Sequence, residues 1–169
     1  MEVFEAVRTA LAVREYKDEA VPADTVRRIV EAAHLTASAS NEQPWHFIVV
    51  EDRDTIHQLG SLAKTGPYIA QAPLAVVVGV EKTRFAESDA SRAIQSMILT
   101  AWADGVGSNW VGFSGTLDDV KPVLGIPEEI GVFAIIPFGY PAQAVGKGRK
   151  QRKPASKVVS RNRFGQPFE

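Results

Sequence analysis

The chain has 169 residues, 45% of them hydrophobic, a formal net charge of -1 and a pI near 6.3. A chain of this length builds one sizeable core, so a single domain over 1–169 is expected, and near neutrality removes the attraction on which general nucleic-acid and membrane-surface binders depend. With no cysteine there is no disulfide framework, no thiolate nucleophile and no sulfur-ligated metal or iron–sulfur cluster.

The N-terminal run Met1-Glu2-Val3-Phe4-Glu5 carries acids where a secretory signal needs bases, and no stretch approaches the roughly 18 apolar residues of a membrane span. A cytoplasmic location and no membrane partner are expected.

In chain order, Val3, Phe4, Val7 and Leu11 recur at helical spacing and predict a helix over 2–12. Pro22-Ala23-Asp24 opens a second helix, which Val26, Ile29, Val30, Ala33 and Leu35 carry to about Thr36. Residues 38–47, Ser-Ala-Ser-Asn-Glu-Gln-Pro-Trp-His-Phe, then form a polar turn running into the apolar strand 46–51. Ser38, Ser40, Asn41 and Gln43 supply short donors and acceptors, and Pro44 is expected to hold Gln43 extended. A short helix over 53–63 precedes the continuous apolar run 74–80, which reads as a strand buried on both faces. Residues 89–104 predict a third long helix with an unusually wide apolar surface, ending at Gly105 and Gly107. A strand over 109–113, a short helix over 116–124 and a strand over 132–138 complete the elements. Their order implies a three-layer α+β domain with a sheet between helical layers, followed by a C-terminal arm, about 142–169, with few apolar residues of its own.

His34, His46 and His57 show no metal-ligand spacing, and no metal site is expected. Gly112-Phe113-Ser114-Gly115 lacks the G-x-S-x-G spacing of a serine hydrolase, and neither a Rossmann fingerprint nor a P-loop occurs. Five bases lie within the seven residues Lys147 to Lys153. They read either as a solvated charge run or as a phosphate clamp, because Lys150 and Arg152 project to one side of an extended chain.

The order Ser38-x-x-Asn41-x-Gln43-Pro44-Trp45-x-Phe47 resembles the S-x-x-N-x-Q-P-W-x-F signature of the nitroreductase family. Members are homodimeric FMN enzymes that oxidise NAD(P)H and reduce nitroaromatics, quinones and similar acceptors. Lys150-Gln151-Arg152-Lys153-Pro154 is similar to the family's Lys-x-Arg-x-Pro element, which lies against the FMN phosphate. Arg14 matches the basic residue directed at the flavin ring edge and ribityl chain, and Val111-Gly112-Phe113 the turn whose backbone N–H groups face flavin N5, with Gly112 permitting close approach. The similarity runs over nearly the whole chain.

The resemblance implies a three-layer α-β-α nitroreductase-like fold whose central sheet is mixed and mostly antiparallel, with the arm exchanged across a homodimer. It implies FMN as cofactor, held by Arg14, Ser38, Ser40, Asn41, Gln43, Val111, Gly112, Lys150 and Arg152. NAD(P)H would be the reductant and a small molecule the electron acceptor, in ping-pong hydride transfer that needs no side-chain acid or base. One segment departs from the family: Ala10-Leu11-Ala12-Val13-Arg14 stands where Arg-Arg-Ser-x-Arg is usual, so an arginine directed at the phosphate is absent. Two other classes compete, a flavin-binding protein without redox turnover and an RNA- or DNA-binding module built on Lys147 to Lys153. The latter lacks aromatics for base stacking, and no nucleic-acid partner is expected.

Overall fold

The computed structural model describes residues 1–112, 117–145 and 150–168. Five helices, α1 (Val3–Thr9), α2 (Ala23–His34), α3 (Arg53–Leu62), α4 (Ala86–Ala103) and α5 (Lys121–Leu124), alternate with strands β1 (Trp45–Val50), β2 (Leu74–Val80), β3 (Gly107–Ser108) and β4 (Gly131–Gly139). The strands form one sheet in the order β1-β2-β4-β3, with antiparallel pairing throughout. Parallel geometry enters only as an isolated bridge between Ala12 and Ser108, so among the described residues the sheet is antiparallel rather than mixed.

Strand β2 fixes the layering. Leu74, Val76 and Val78 face a core shared with Ile29 of α2 and Ile94 and Met97 of α4. Ala75 and Val77 face a second core with Ile56 and Leu59 of α3 and Val120 before α5. Residues 74–78 have essentially no exposure, as expected for a strand between two layers, and each buried Leu or Val contributes about 1.5–3 kcal/mol. The wide apolar surface of α4 is largely used within the chain, between the sheet and α2. Helix α4 ends in a Schellman arrangement in which Val106 N–H donates to Ala101 O at 2.9 Å and Gly105 N–H to Trp102 O at 3.1 Å. Gly105 stands at φ 79°, where glycine carries no Cβ penalty.

Three elements differ from the sequence expectation. Helix α1 stops at Thr9 rather than residue 12, because the chain is drawn into the sheet edge, where Val13 N–H donates to Ser108 O at 2.9 Å. The strand expected over 109–113 is reduced to Gly107–Ser108 and a bridge from Val111 to Ile135. Asn109 interrupts it, its Oδ1 taking the Trp110 N–H at 2.9 Å in place of a ladder partner. The helix expected over 116–124 is a 3-10 turn, Asp118–Val120, running into α5. An unforeseen 3-10 turn, Pro67–Gln71, packs against α3, where a Cβ on Gly60 would lie 2.7 Å from Ala70 N. No helix among the described residues is long and apolar enough to cross a membrane.

Candidate active site

The signature segment does not enter β1 as an extended turn. Residues Ala39–Asn41 form one 3-10 turn, and Ser40, Asn41 and Gln43 have φ of 51°, 57° and 52°. Positive φ is uncommon outside glycine and costs about 1–3 kcal/mol per residue. The expectation that Pro44 holds Gln43 extended is therefore wrong: hydrogen bonds override the proline's local bias. Gln43 N–H donates to Ser38 Oγ at 2.9 Å, and Gln43 Nε2 donates to Asn41 O at 3.2 Å. Ser38 thus braces the loop from within, while the side chains of Ser40, Asn41 and Gln43 lie exposed.

A cavity of about 490 Å³ gathers the segment after α1 and the basic arm. Ala10, Leu11 and Ala12 form one wall, Ile98 and Gln95 of α4 a second, and Ser108, Asn109 and Trp110 a third, with Lys150 and Arg152 at the edge. The two bases expected to share a face therefore meet the same space, together with the segment where an arginine is missing. Lys150 Nζ donates to Val7 O at 2.5 Å, at the C-terminal end of α1. Desolvation, and then the neighbouring Arg152 guanidinium, lower Lys150 from the ordinary ammonium value. Arg8 does not line this cavity. It makes a two-point pair with Glu5, at 2.7 and 2.9 Å. Lys147 and Arg149 lie outside the described residues, as do Phe113, Ser114 and Gly115.

Arg14 lines a neighbouring cavity with Ala12 and Val13. Its guanidinium lies 5.8 Å from the centroid of the Tyr68 ring, within cation–π range. Tyr68 Oη in turn accepts from Asn109 Nδ2 at 2.6 Å, linking the Arg14 segment to the third wall of the larger cavity. Tyr16 anchors the same segment, donating to Val13 O at 2.7 Å. Burial, and then Tyr68, raise its phenol above the ordinary value, so it remains a donor.

Val111 is buried and its backbone is committed to the sheet: its N–H donates to Ile135 O at 3.0 Å and its carbonyl accepts from Ile135 N at 2.8 Å. Of the Val111–Gly112 pair, only the Gly112 N–H has no acceptor among the described residues. Gly112 has φ 157°, and a Cβ there would lie 2.6 Å from Phe133 O and 3.2 Å from Ala134 Cα. Strand β4 by itself thus requires glycine at this position.

Among the described residues, those lining the Lys150–Arg152 cavity include none of the loop Ser38–Gln43; Arg14, Gly112 and that cavity are linked through residues 108–111. Sequence reasoning missed Tyr68, Asn109 and Trp110. Trp110 packs edge-on to Phe133 with centroids 5.7 Å apart, and its only sequence signal was an aromatic beside a buried strand end. Among the described residues no group of three or more His, Asp or Glu is placed to hold a metal ion.

A strained polar loop and a cation-edged cavity with an aromatic wall thus sit on an α+β domain with a layered antiparallel sheet. The sequence profile of the nitroreductase family matches residues 7–81 and 61–140, and the chain belongs to that family of oxidoreductases. It is 34% identical over 154 residues, 86% of this chain and 81% of the other, to a Methanothermobacter thermautotrophicus protein provisionally named NADH dehydrogenase/NAD(P)H nitroreductase. An FMN-dependent nitroreductase of Clostridium difficile superposes with a TM-score of 0.83 at 27% identity, covering 95% of this chain and 99% of that one. A Desulfovibrio desulfuricans protein assigned as a nitroreductase, solved in complex with FMN, superposes with a TM-score of 0.81 at 27% identity, covering 97% and 98%.

Proposed function

We propose that this chain is an FMN-dependent oxidoreductase that takes reducing equivalents from NAD(P)H and passes them to nitroaromatic, quinone or related acceptors in a ping-pong cycle. The observation that carries the reading is the single cavity joining Lys150 and Arg152 to Leu11, Ile98 and Trp110. Two cations beside an apolar, aromatic-walled space suit a ligand that is a phosphate at one end and a flat ring system at the other. FMN, when bound, would supply the hydride-accepting centre. Lys150 and Arg152 would hold its phosphate, Arg14 on Tyr68 would meet the ring edge and ribityl chain, and the Gly112 N–H would point a donor at the reactive position. Ser38 would keep the loop in shape while Ser40, Asn41 and Gln43 present polar edges. No side chain is assigned as acid or base.

The site is read as lying between two copies of the chain, with the arm exchanged. Residues 151–168 of the arm are exposed at every position, and α1 presents Val3, Phe4 and Val7 to solvent at 76, 77 and 47% exposure. Both surfaces need a partner, and the loop Ser38–Gln43 needs a second set of residues to close a site. Sedimentation of the flavin-loaded protein is expected to show a homodimer with two FMN per dimer. A stable monomer retaining FMN would overturn this arrangement.

The Ala10-Leu11-Ala12 wall favours a second reading, a flavin-binding protein without turnover, because it lacks one phosphate contact. Steady-state oxidation of NADH or NADPH by quinone and nitroaromatic acceptors separates the two. Parallel double-reciprocal lines are expected for ping-pong turnover, and bound FMN with no nicotinamide oxidation would select the second reading. The same wall gives a further expectation: Ala10→Arg adds a cation to the cavity and should tighten FMN by about one to two decades, the value of one hydrogen bond to a charged group. Titration of the apo-protein measures it. An unchanged dissociation constant would mean that an existing base already serves that part of the phosphate.

A further inference from the structure

Asp89 is the only carboxylate among the described residues that is fully buried, yet no assigned part of the site uses it. It lies in the first turns of α4. Ala39 N–H, inside the signature loop, donates to both carboxylate oxygens, at 3.2 and 3.1 Å. Arg92, one turn along and half exposed, pairs with the same carboxylate. Two turns further along this face, Ser96 Oγ accepts from Thr36 Oγ1 at 2.8 Å. Helix α4 therefore holds the chain between α2 and the loop at two points, Thr36 and Ala39.

We propose that Asp89 is the positioning residue of the cofactor-facing loop, its buried carboxylate clamping Ala39 so that the next residues are held in their strained conformation. The physical reason lies in the loop's own energetics. Three non-glycine residues at positive φ within 40–43 persist only where the surroundings over-determine them. The internal bonds of the loop link Gln43 to Ser38 and Asn41, Asn41 N–H to Ser38 O and Glu42 N–H to Ala39 O; none of them ties it to the rest of the fold. The Ala39–Asp89 contact does, and a buried carboxylate with a single cationic neighbour gains from every backbone donor it captures. Arg92 pairs with Oδ1, which it shares with Ala39, while Oδ2 takes the Ala39 N–H. The inference rests on the reading of residues 38–43 as flavin-facing, and it adds the residue that keeps them so.

Amide hydrogen exchange on the full-length protein without flavin, followed by FMN and riboflavin titrations, tests the clamp. In Asp89→Ala the Ala39 amide should exchange about ten- to a hundredfold faster, while Val76 and Val77 in β2 keep their protection. FMN and riboflavin should weaken by one common factor of about ten, since the loop serves the ring and not the phosphate. Asp89→Asn keeps an oxygen for Ala39 and should recover part of both effects. Unchanged Ala39 exchange in a folded Asp89→Ala protein overturns the proposal. So does equal acceleration at Ala39 and in β2, which would mean a purely global structural role, and so does a loss confined to FMN. If the unmodified protein binds neither flavin, the functional reading fails on its own, and the exchange rates still judge the clamp.

Discussion

Replacing Lys150 and Arg152 together with alanine is expected to weaken FMN by about two to four decades and riboflavin by less than one. Each base would give the phosphate a charge-assisted hydrogen bond worth about 1.5–3 kcal/mol, and riboflavin has no phosphate to lose. The structure sharpens this expectation. Both side chains border the cavity that Ala10–Ala12 line, whereas Arg8 pairs with Glu5 and does not line it. Lys150 also donates to Val7 O, so its removal releases α1's last turn, and a modest common loss for both ligands would come from that source. Isotherms for the two flavins separate the contributions. Equal large losses would indicate a disturbed fold, and no loss for either would return the arm to a solvated charge run.

Gly112→Ala is expected to lower stability by about 2–6 kcal/mol and to abolish flavin retention at micromolar concentrations. The added Cβ would stand 2.6 Å from Phe133 O and 3.2 Å from Ala134 Cα. Both are backbone atoms of β4 with no flexible end to move aside, so the cost combines overpacking, about 1–3 kcal/mol, with a strained φ, about 1–3 kcal/mol. For a chain of this size that corresponds to about 4–24 °C in Tm. Gly105→Ala is the matched control. Its φ is 79° but no atom lies within 4 Å of the added Cβ, so only the conformational part, about 1–2 kcal/mol, should appear. Equal Tm shifts for the two variants would remove β4 as the reason for glycine at 112.

Those parts of the fold that depend on local pattern were readable. Pro22 and the 3.6-residue spacing of Val26, Ile29 and Ala33 placed α2, and the continuous apolar run 74–80 placed β2 between two layers. The elements that shifted were those governed by distant partners. Ser108 O ends α1 by capturing Val13, and Asn109 cuts β3 short by accepting the Trp110 N–H with its side chain. The loop shows both sides of this. Its polar composition was plain in the sequence, but the positive φ of Gln43 depends on Ser38 and its anchoring on Asp89, fifty residues away. Tyr68 was similarly hidden: its position beneath Arg14 and against Asn109 follows from the 3-10 turn at Pro67–Gln71. The family motifs singled out the segments expected to face a ligand without showing that the basic arm and the segment after α1 border one cavity.

The most direct measurement is an anaerobic one. Apo-protein is loaded with stoichiometric FMN, freed of unbound flavin, mixed with NADH or NADPH and followed in the visible flavin band; a quinone or nitroaromatic acceptor is then added. The account predicts that FMN is retained, that one or both nicotinamides bleach the band, and that the acceptor restores it. Flavin lost on removal of the excess, or a retained band that neither nicotinamide bleaches, would contradict it.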